Sequence, residues 1–352
     1  MAHRFARSQE TGDRRQESGV SGCFFNLTPD FYLLTPSPRG TFTTMIAVVF
    51  PGQGSQKPEM GRELFDTFPG ARGVFEKVAE ATSVDTAKLC FELDEETLRR
   101  TQNAQLALYT CSVAAWAVLS SHTDVRQFVA MAGHSVGEYA ALAAAGVISV
   151  EDGARLVQIR GNLMHDSGIS NPGTMAAVLG LDRAALEAVC EETEGIVVVA
   201  NDNCPGQLVI SGEVDAVSEA GELAGQRGAK RVLPLNVSGA FHSPLMEAPA
   251  RGMREALDKV AFETGDRAVY SNVTSEKVDD PTQWPDLLER QLRSPVRWTE
   301  TVEHLRRDDI ATFIECGVGE VLSGLIRRID KEAVCLKVYD QASLQSTLAA
   351  LA

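Results

Sequence analysis

Phe128-Val129-Ala130-Met131-Ala132-Gly133-His134-Ser135-Val136-Gly137-Glu138-Tyr139-Ala140-Ala141-Leu142 is the stretch that decides the fold. Its apolar opening reads as a buried strand, and its alanine-rich end reads as a helix. Between them stands Gly133-x-Ser135-x-Gly137. Strand, sharp turn and helix together are the setting in which G-x-S-x-G forms a nucleophile elbow. The glycines permit a tight turn and close approach of strand to helix, leaving Ser135 at the tip. There its hydroxyl meets the free N–H groups and dipole of a helix start, which favour developing negative charge.

Outside the elbow, 352 residues suffice for two domains, or for one large α/β domain carrying an insertion. A net charge of −15 argues against nucleic-acid binding through the bulk surface. No uninterrupted apolar run reaches the ~18 residues of a membrane span, so none is expected. Seven scattered cysteines without a C-x-x-C pair suggest a reduced, cytoplasmic protein with no metal site. Residues 1–44 carry five Arg, four acidic residues and many turn formers without an apolar period, and read as a disordered leader, with Met45 as the natural start.

The ordered chain opens with a strand, Ile46–Phe50, running into Pro51-Gly52-Gln53-Gly54-Ser55-Gln56. That loop suits a backbone that must approach something closely, and no G-K-[ST] follows to make it a phosphate cradle. Helices are expected over Arg62–Phe68, Ala71–Ala81, Leu106–Leu119 and Val150–Met164. In the last of these Arg160 falls within the apolar stripe, three residues after Val157 and four before Met164. It either snorkels to water or meets an anion, because an unpaired buried guanidinium is strongly destabilising.

From Thr174 to Leu235 the period switches, giving strands at Thr174–Gly180, Ile196–Ala200, Gln207–Ser211 and Lys230–Leu235, with helices at Arg183–Thr193 and Val214–Gln226. This β-α-β-β-α-β order is that of a ferredoxin-like unit. The expected architecture is α/β: a large α/β-hydrolase-like part (45–171 and 239–352) with the small unit inserted at 172–238, hinged near Asn171-Pro172 and Ser238-Gly239. Further strands are expected at Ala268–Ser271 and Ala311–Glu315, and helices at Gln283–Leu292 and Val321–Ile329.

A serine nucleophile needs a base and something to orient that base. His242, on the loop Gly239-Ala240-Phe241-His242-Ser243-Pro244, follows the elbow in the order an α/β-hydrolase uses and is the best base on pattern. The only plausible triad acid between them is Asp202, inside the inserted unit. The residues therefore suggest a Ser–His pair whose orienter is not a carboxylate. A serine hydrolase or thioesterase would need that carboxylate, and a noncatalytic scaffold would not need the serine.

Five separated motifs occur in order: Phe50–Gln56, Gly133–Tyr139, Ile159-Arg160-Gly161, Ala240–Ser243 and Gln291-Leu292 with Pro295-Val296-Arg297-Trp298; Asn203-Cys204-Pro205-Gly206-Gln207 adds a sixth. From Met45 to about Ile329 the chain resembles the malonyl-CoA:acyl carrier protein transacylases, and is similar to the acyltransferase domains of polyketide synthases. The resemblance implies that Ser135 takes a malonyl group as an ester, that His242 is its general base and that a Gln291 carbonyl orients His242. It further implies an oxyanion hole from the backbone N–H groups of Gln53 and Val136, and a malonate carboxylate bound by Arg160. Gln53, Asn203 and Phe241 would complete the substrate site, Phe241 excluding an α-methyl branch. Gly239 stands where the commonest form has His, and Val136 where many relatives have Leu, which touches pocket shape alone.

The implied cycle is ping-pong: malonyl-CoA acylates Ser135, CoA leaves, and the phosphopantetheine thiol of acyl carrier protein takes the malonyl group for fatty-acid biosynthesis. A discrete polyketide-type acyltransferase is the alternative. No cofactor is implied, only these substrates, and the chain is expected to act as a monomer. Lys230, Arg231, Arg327 and Arg328 are the candidate docking patch for an acidic carrier.

Overall fold

The computed structural model describes residues 45–237 and 239–352; the expected leader and the Ser238 side of the second hinge lie outside them. The strands, in chain order, are β1 (Ile46–Phe50), β2 (Phe128–Gly133), β3 (Thr174–Leu179), β4 (Val197–Cys204), β5 (Gln207–Gly212), β6 (Arg231–Pro234), β7 (Ala268–Tyr270), β8 (Val296–Arg297), β9 (Thr312–Cys316) and β10 (Val334–Val338). They form two sheets in a mixed α/β fold.

One sheet runs β10-β9-β1-β2-β7 with every pairing parallel. Parallel strands are covered on both faces, which is why β1 is buried at all its positions and reads as an unbroken apolar run. Because β1 and β2 are parallel, the loop after β1 and the elbow after β2 leave the same edge of the sheet. Helix Thr101–His122 packs against this core. By length and composition it could cross a membrane, at a hydropathy of 1.2 over its apolar window, yet 78% of that window is buried inside the protein. Counting uninterrupted apolar residues missed it, since Thr, Gln, Tyr and Ser interrupt a run that faces protein on all sides.

The other sheet runs β6-β3-β5-β4-β8. Its first four strands pair antiparallel, with helices Arg183–Glu192 and Val214–Gln226 contributing Leu186, Val189, Val217 and Ala220 to a separate core with Val178 and Ile210. Two features depart from the expectation. β8, from the C-terminal part of the chain, joins β4 in parallel, so this sheet extends beyond residues 172–238. β4 also continues four residues past Ala200 to Cys204. Asn201, Asp202 and Asn203 would ordinarily argue against strand, but here pairing with β5 and β8 and specific side-chain partners hold them buried.

Candidate active site

The elbow is built as its spacing suggests, but strain and closeness fall on different residues. Ser135 itself takes the left-handed conformation, at φ 53°. The glycines serve close approach: a Cβ on Gly133 would lie 2.0 Å from the Gly137 carbonyl carbon, and one on Gly137 only 2.2 Å from the Phe50 carbonyl oxygen. Strand, elbow and first helical turn therefore touch backbone to backbone. Asn272, just past β7, clamps the turn: its Oδ1 accepts from the Ser135 N–H at 2.7 Å and its Nδ2 donates to the Gly133 carbonyl at 2.6 Å.

His242 reaches Ser135 from 107 positions away in the chain, its Nε2 2.8 Å from the serine Oγ. Its Nδ1 lies 2.8 Å from the backbone carbonyl oxygen of Gln291. A carbonyl only accepts, so Nδ1 carries the proton and Nε2 presents its lone pair to the hydroxyl. Burial, and next the nearby Arg160 charge, push the imidazole pKa down to about 3. The ring is thus neutral, as a base must be. Asp202 does not approach it; its carboxylate accepts from Thr299 Oγ1 at 2.6 Å and sits 3.6 Å from Arg183.

Arg160 does not snorkel: it is 1% exposed. Its Nη2 donates to Ser135 Oγ at 3.0 Å and to Gln291 Oε1 at 2.9 Å, and its Nη1 donates to Gln105. Nε has no acceptor. Among the described residues no carboxylate lies within ion-pair distance of this guanidinium, and burial lowers its pKa. A buried cation held by neutral amides beside a serine hydroxyl is a receptor for an anionic group.

Gln53 braces its loop through Oε1, which accepts from Thr101 Oγ1 at 2.9 Å, while Gln56 Oε1 accepts from the Gly54 N–H at 2.7 Å. Among the described residues the backbone N–H groups of Gln53 and Val136 donate to no protein acceptor. Both residues, with Ser135, Arg160, Phe241 and His242, line a cavity of about 340 Å³. A larger hollow of about 580 Å³ against Arg267 and Trp284 contains none of them. Asn203 is placed differently from the expectation: its Oδ1 bonds His134 Nε2 at 2.8 Å, and the β4 residue lining the cavity is Asn201. Strand alternation puts Asn201 and Asn203 on one face, and the two differ because His134 engages the Asn203 side chain.

Lys230, Arg231, Arg327 and Arg328 are exposed and outside the cavity lining; Arg327 donates to the Cys335 carbonyl and Arg328 to Gln207 and Pro205. Sequence reasoning missed Asn272, Gln105 and Glu138. The i,i+4 spacing of Thr101 and Gln105 on an otherwise apolar helix was a usable signal for Gln105, whose Nε2 donates to Thr101 Oγ1 at 2.8 Å. Nothing local marks Asn272. Taken together, an activated hydroxyl, a neutral imidazole, free N–H groups and a buried guanidinium equip this cavity for acyl transfer through a serine ester, with an acyl group that ends in an anion.

Residues 47–338 match the acyl transferase domain family. The chain is 40% identical over 309 residues to the malonyl CoA-acyl carrier protein transacylase of Bacillus subtilis, covering 87% of this chain and 97% of that one. Its structure is similar to that of an acyl-carrier-protein-S-malonyltransferase from Bartonella henselae, with 42% identity, a TM-score of 0.84 and coverage of 88% and 99%. It is also similar to a malonyl-transacylase solved in complex with its type II PKS acyl-carrier protein, with 38% identity, a TM-score of 0.83 and coverage of 87% and 100%.

Proposed function

The chain belongs to the malonyl CoA-acyl carrier protein transacylase family of acyltransferases, and on that premise we propose that it moves malonyl from CoA to the phosphopantetheine thiol of acyl carrier protein through a malonyl ester on Ser135. The observation that carries this reading is Arg160, a buried guanidinium with no carboxylate partner among the described residues, 3.0 Å from the serine oxygen. In the first half-reaction His242 Nε2 takes the Ser135 proton as Oγ attacks the thioester carbonyl. The developing oxyanion is held by the N–H groups of Gln53 and Val136, each such donor contributing roughly 2.7–4 kcal/mol to transition-state stability. The resulting imidazolium is oriented by the Gln291 carbonyl and returns its proton to the departing CoA thiolate. The second half repeats these steps with the carrier thiol as nucleophile.

Arg160 gives specificity by pairing with the free malonyl carboxylate; an acetyl group leaves it buried and unpaired. A planar fork suits a carboxylate better than a lysine would. Phe241, at the cavity wall, restricts the space beside the acyl α-carbon. The parallel sheet with its helices is read as α/β-hydrolase-like, and the order β6-β3-β5-β4 supports a ferredoxin-like reading of the smaller unit. We assign the transfer to fatty-acid biosynthesis, with the acidic carrier docking on exposed Lys230, Arg231, Arg327 and Arg328. Initial rates with both substrates varied test the cycle: parallel double-reciprocal lines are expected, and intersecting lines would exclude a free acyl-enzyme.

A further inference from the structure

Among the described residues Arg160 has no direct counter-ion, yet one acid stands a single side chain away. Glu138, on the first turn of the elbow helix, is 1% exposed. Its Oε1 accepts from the Asn272 N–H at 3.0 Å, and its Oε2 accepts from Gln291 Nε2. The same Gln291 amide donates to the Ser135 carbonyl at 3.0 Å and, through Oε1, accepts from Arg160 Nη2 at 2.9 Å. Burial pushes the Glu138 pKa up to about 7; in its ionised form it only accepts and Arg160 only donates, so the Gln291 amide wedged between them has a single workable orientation.

We propose that Glu138 is a positioning residue for acyl selection: through the Gln291 side chain it holds the Arg160 guanidinium in register with Ser135 and balances its charge without occupying the donors a substrate carboxylate needs. This rests on the reading of malonyl as the acyl group. The chemistry requires a carboxylate at this position. Two donors, Asn272 N–H and Gln291 Nε2, point at two different oxygens, and an amide of the same shape offers one oxygen and one NH₂. Glu138→Gln thus sets a donor against a donor and frees Gln291 to turn, releasing Arg160. The backbone carbonyl of Gln291, which orients His242, does not depend on that side-chain amide. The effect should therefore fall chiefly on recognition of the acyl carboxylate, since the His242 Nε2 contact to Ser135 Oγ stays and only the Arg160 donor to that oxygen is loosened.

The test compares two reactions of Ser135 in wild type and Glu138→Gln: malonylation by malonyl-CoA, and inactivation by phenylmethanesulfonyl fluoride, which carries no anion. A lost hydrogen bond to a charged group predicts a kcat/KM for malonyl-CoA lower by roughly 10- to 100-fold, mainly through KM. The inactivation rate should fall far less, since only the Arg160 hydrogen bond to Ser135 Oγ is loosened there. In an Arg160→Ala background Glu138→Gln should add no further loss for malonyl-CoA. Glu138→Ala removes both acceptor oxygens without setting a donor against Gln291, and carries the same expectation should Glu138→Gln fail to fold. Equal loss in both reactions, or losses that multiply with Arg160→Ala, would overturn the assignment and leave Glu138 a structural acid. Absence of any malonyl ester on the wild-type protein would instead overturn the function from which it proceeds.

Discussion

The Gln291 backbone carbonyl lies 2.8 Å from His242 Nδ1, occupying the position at which a serine-hydrolase triad places a carboxylate. A carbonyl fixes the tautomer and direction of the ring as an acid does, but brings only a partial charge to an imidazolium. Such a site needs its orienter mainly to aim the base.

Asp202 is accordingly not a triad acid. Replacing a triad carboxylate by its amide lowers kcat by on the order of 10⁴. Asp202→Asn should leave kcat/KM for malonyl transfer unchanged, and lower stability by about 1 kcal/mol through weakened bonds to Thr299 and Arg183. Steady-state kinetics beside a denaturant melt separates the two; a collapse in kcat would reinstate the triad.

With its pKa pushed down to about 3, His242 is a competent base across the neutral range and well below it. An ordinary histidine loses its lone pair as pH falls through about 6.5. The rate of Ser135 inactivation by phenylmethanesulfonyl fluoride should therefore stay level as pH is lowered to about 5; a decline centred near 6.5 would contradict it. The same shift has a sign in stability. The unfolded chain takes up this proton near 6.5 and the folded chain does not, so the contribution is complete above 6.5 and is lost as pH falls toward 3.

Gly137 and Gly73 give opposite answers to the same substitution. A Cβ at Gly137 would meet the Phe50 carbonyl oxygen at 2.2 Å, whereas one at Gly73, inside helix Pro69–Thr82, meets nothing within 4 Å. Gly137→Ala should lose about 1–3 kcal/mol or more, and Gly73→Ala should gain up to about 1 kcal/mol. Thermal melts decide; equal shifts would mean that the elbow is not packed backbone to backbone.

How far the sequence alone carried depended on whether the signal was local. The elbow, β1 and the strand–helix alternation of 174–235 announce themselves through apolar period and turn residues. β8 could not be read, because two residues carry no period and the strand exists only through its pairing with β4. Asn201-Asp202-Asn203 concealed the end of β4, since their burial depends on partners distant in sequence: Thr299 and Arg183 for Asp202, His134 for Asn203. Arg160 was visible as an anomaly, but whether it snorkelled or sank depended on Gln105 and Gln291, brought to it from 55 and 131 positions away. Asn272 carried no local mark, and Glu138, though inside the elbow motif, gave no sign of the partners it holds, Asn272 and Gln291.

The central claim is that Ser135 receives a malonyl group selected by its carboxylate. Intact-mass measurement after brief mixing with an equimolar pair of malonyl-CoA and acetyl-CoA tests it directly. The wild-type chain should gain the mass of one malonyl group and no acetyl group, lose it on addition of phosphopantetheinylated acyl carrier protein, and show no gain as Ser135→Ala. An unmodified wild-type chain, an acetyl adduct, or a malonyl adduct that persists in Ser135→Ala would contradict it.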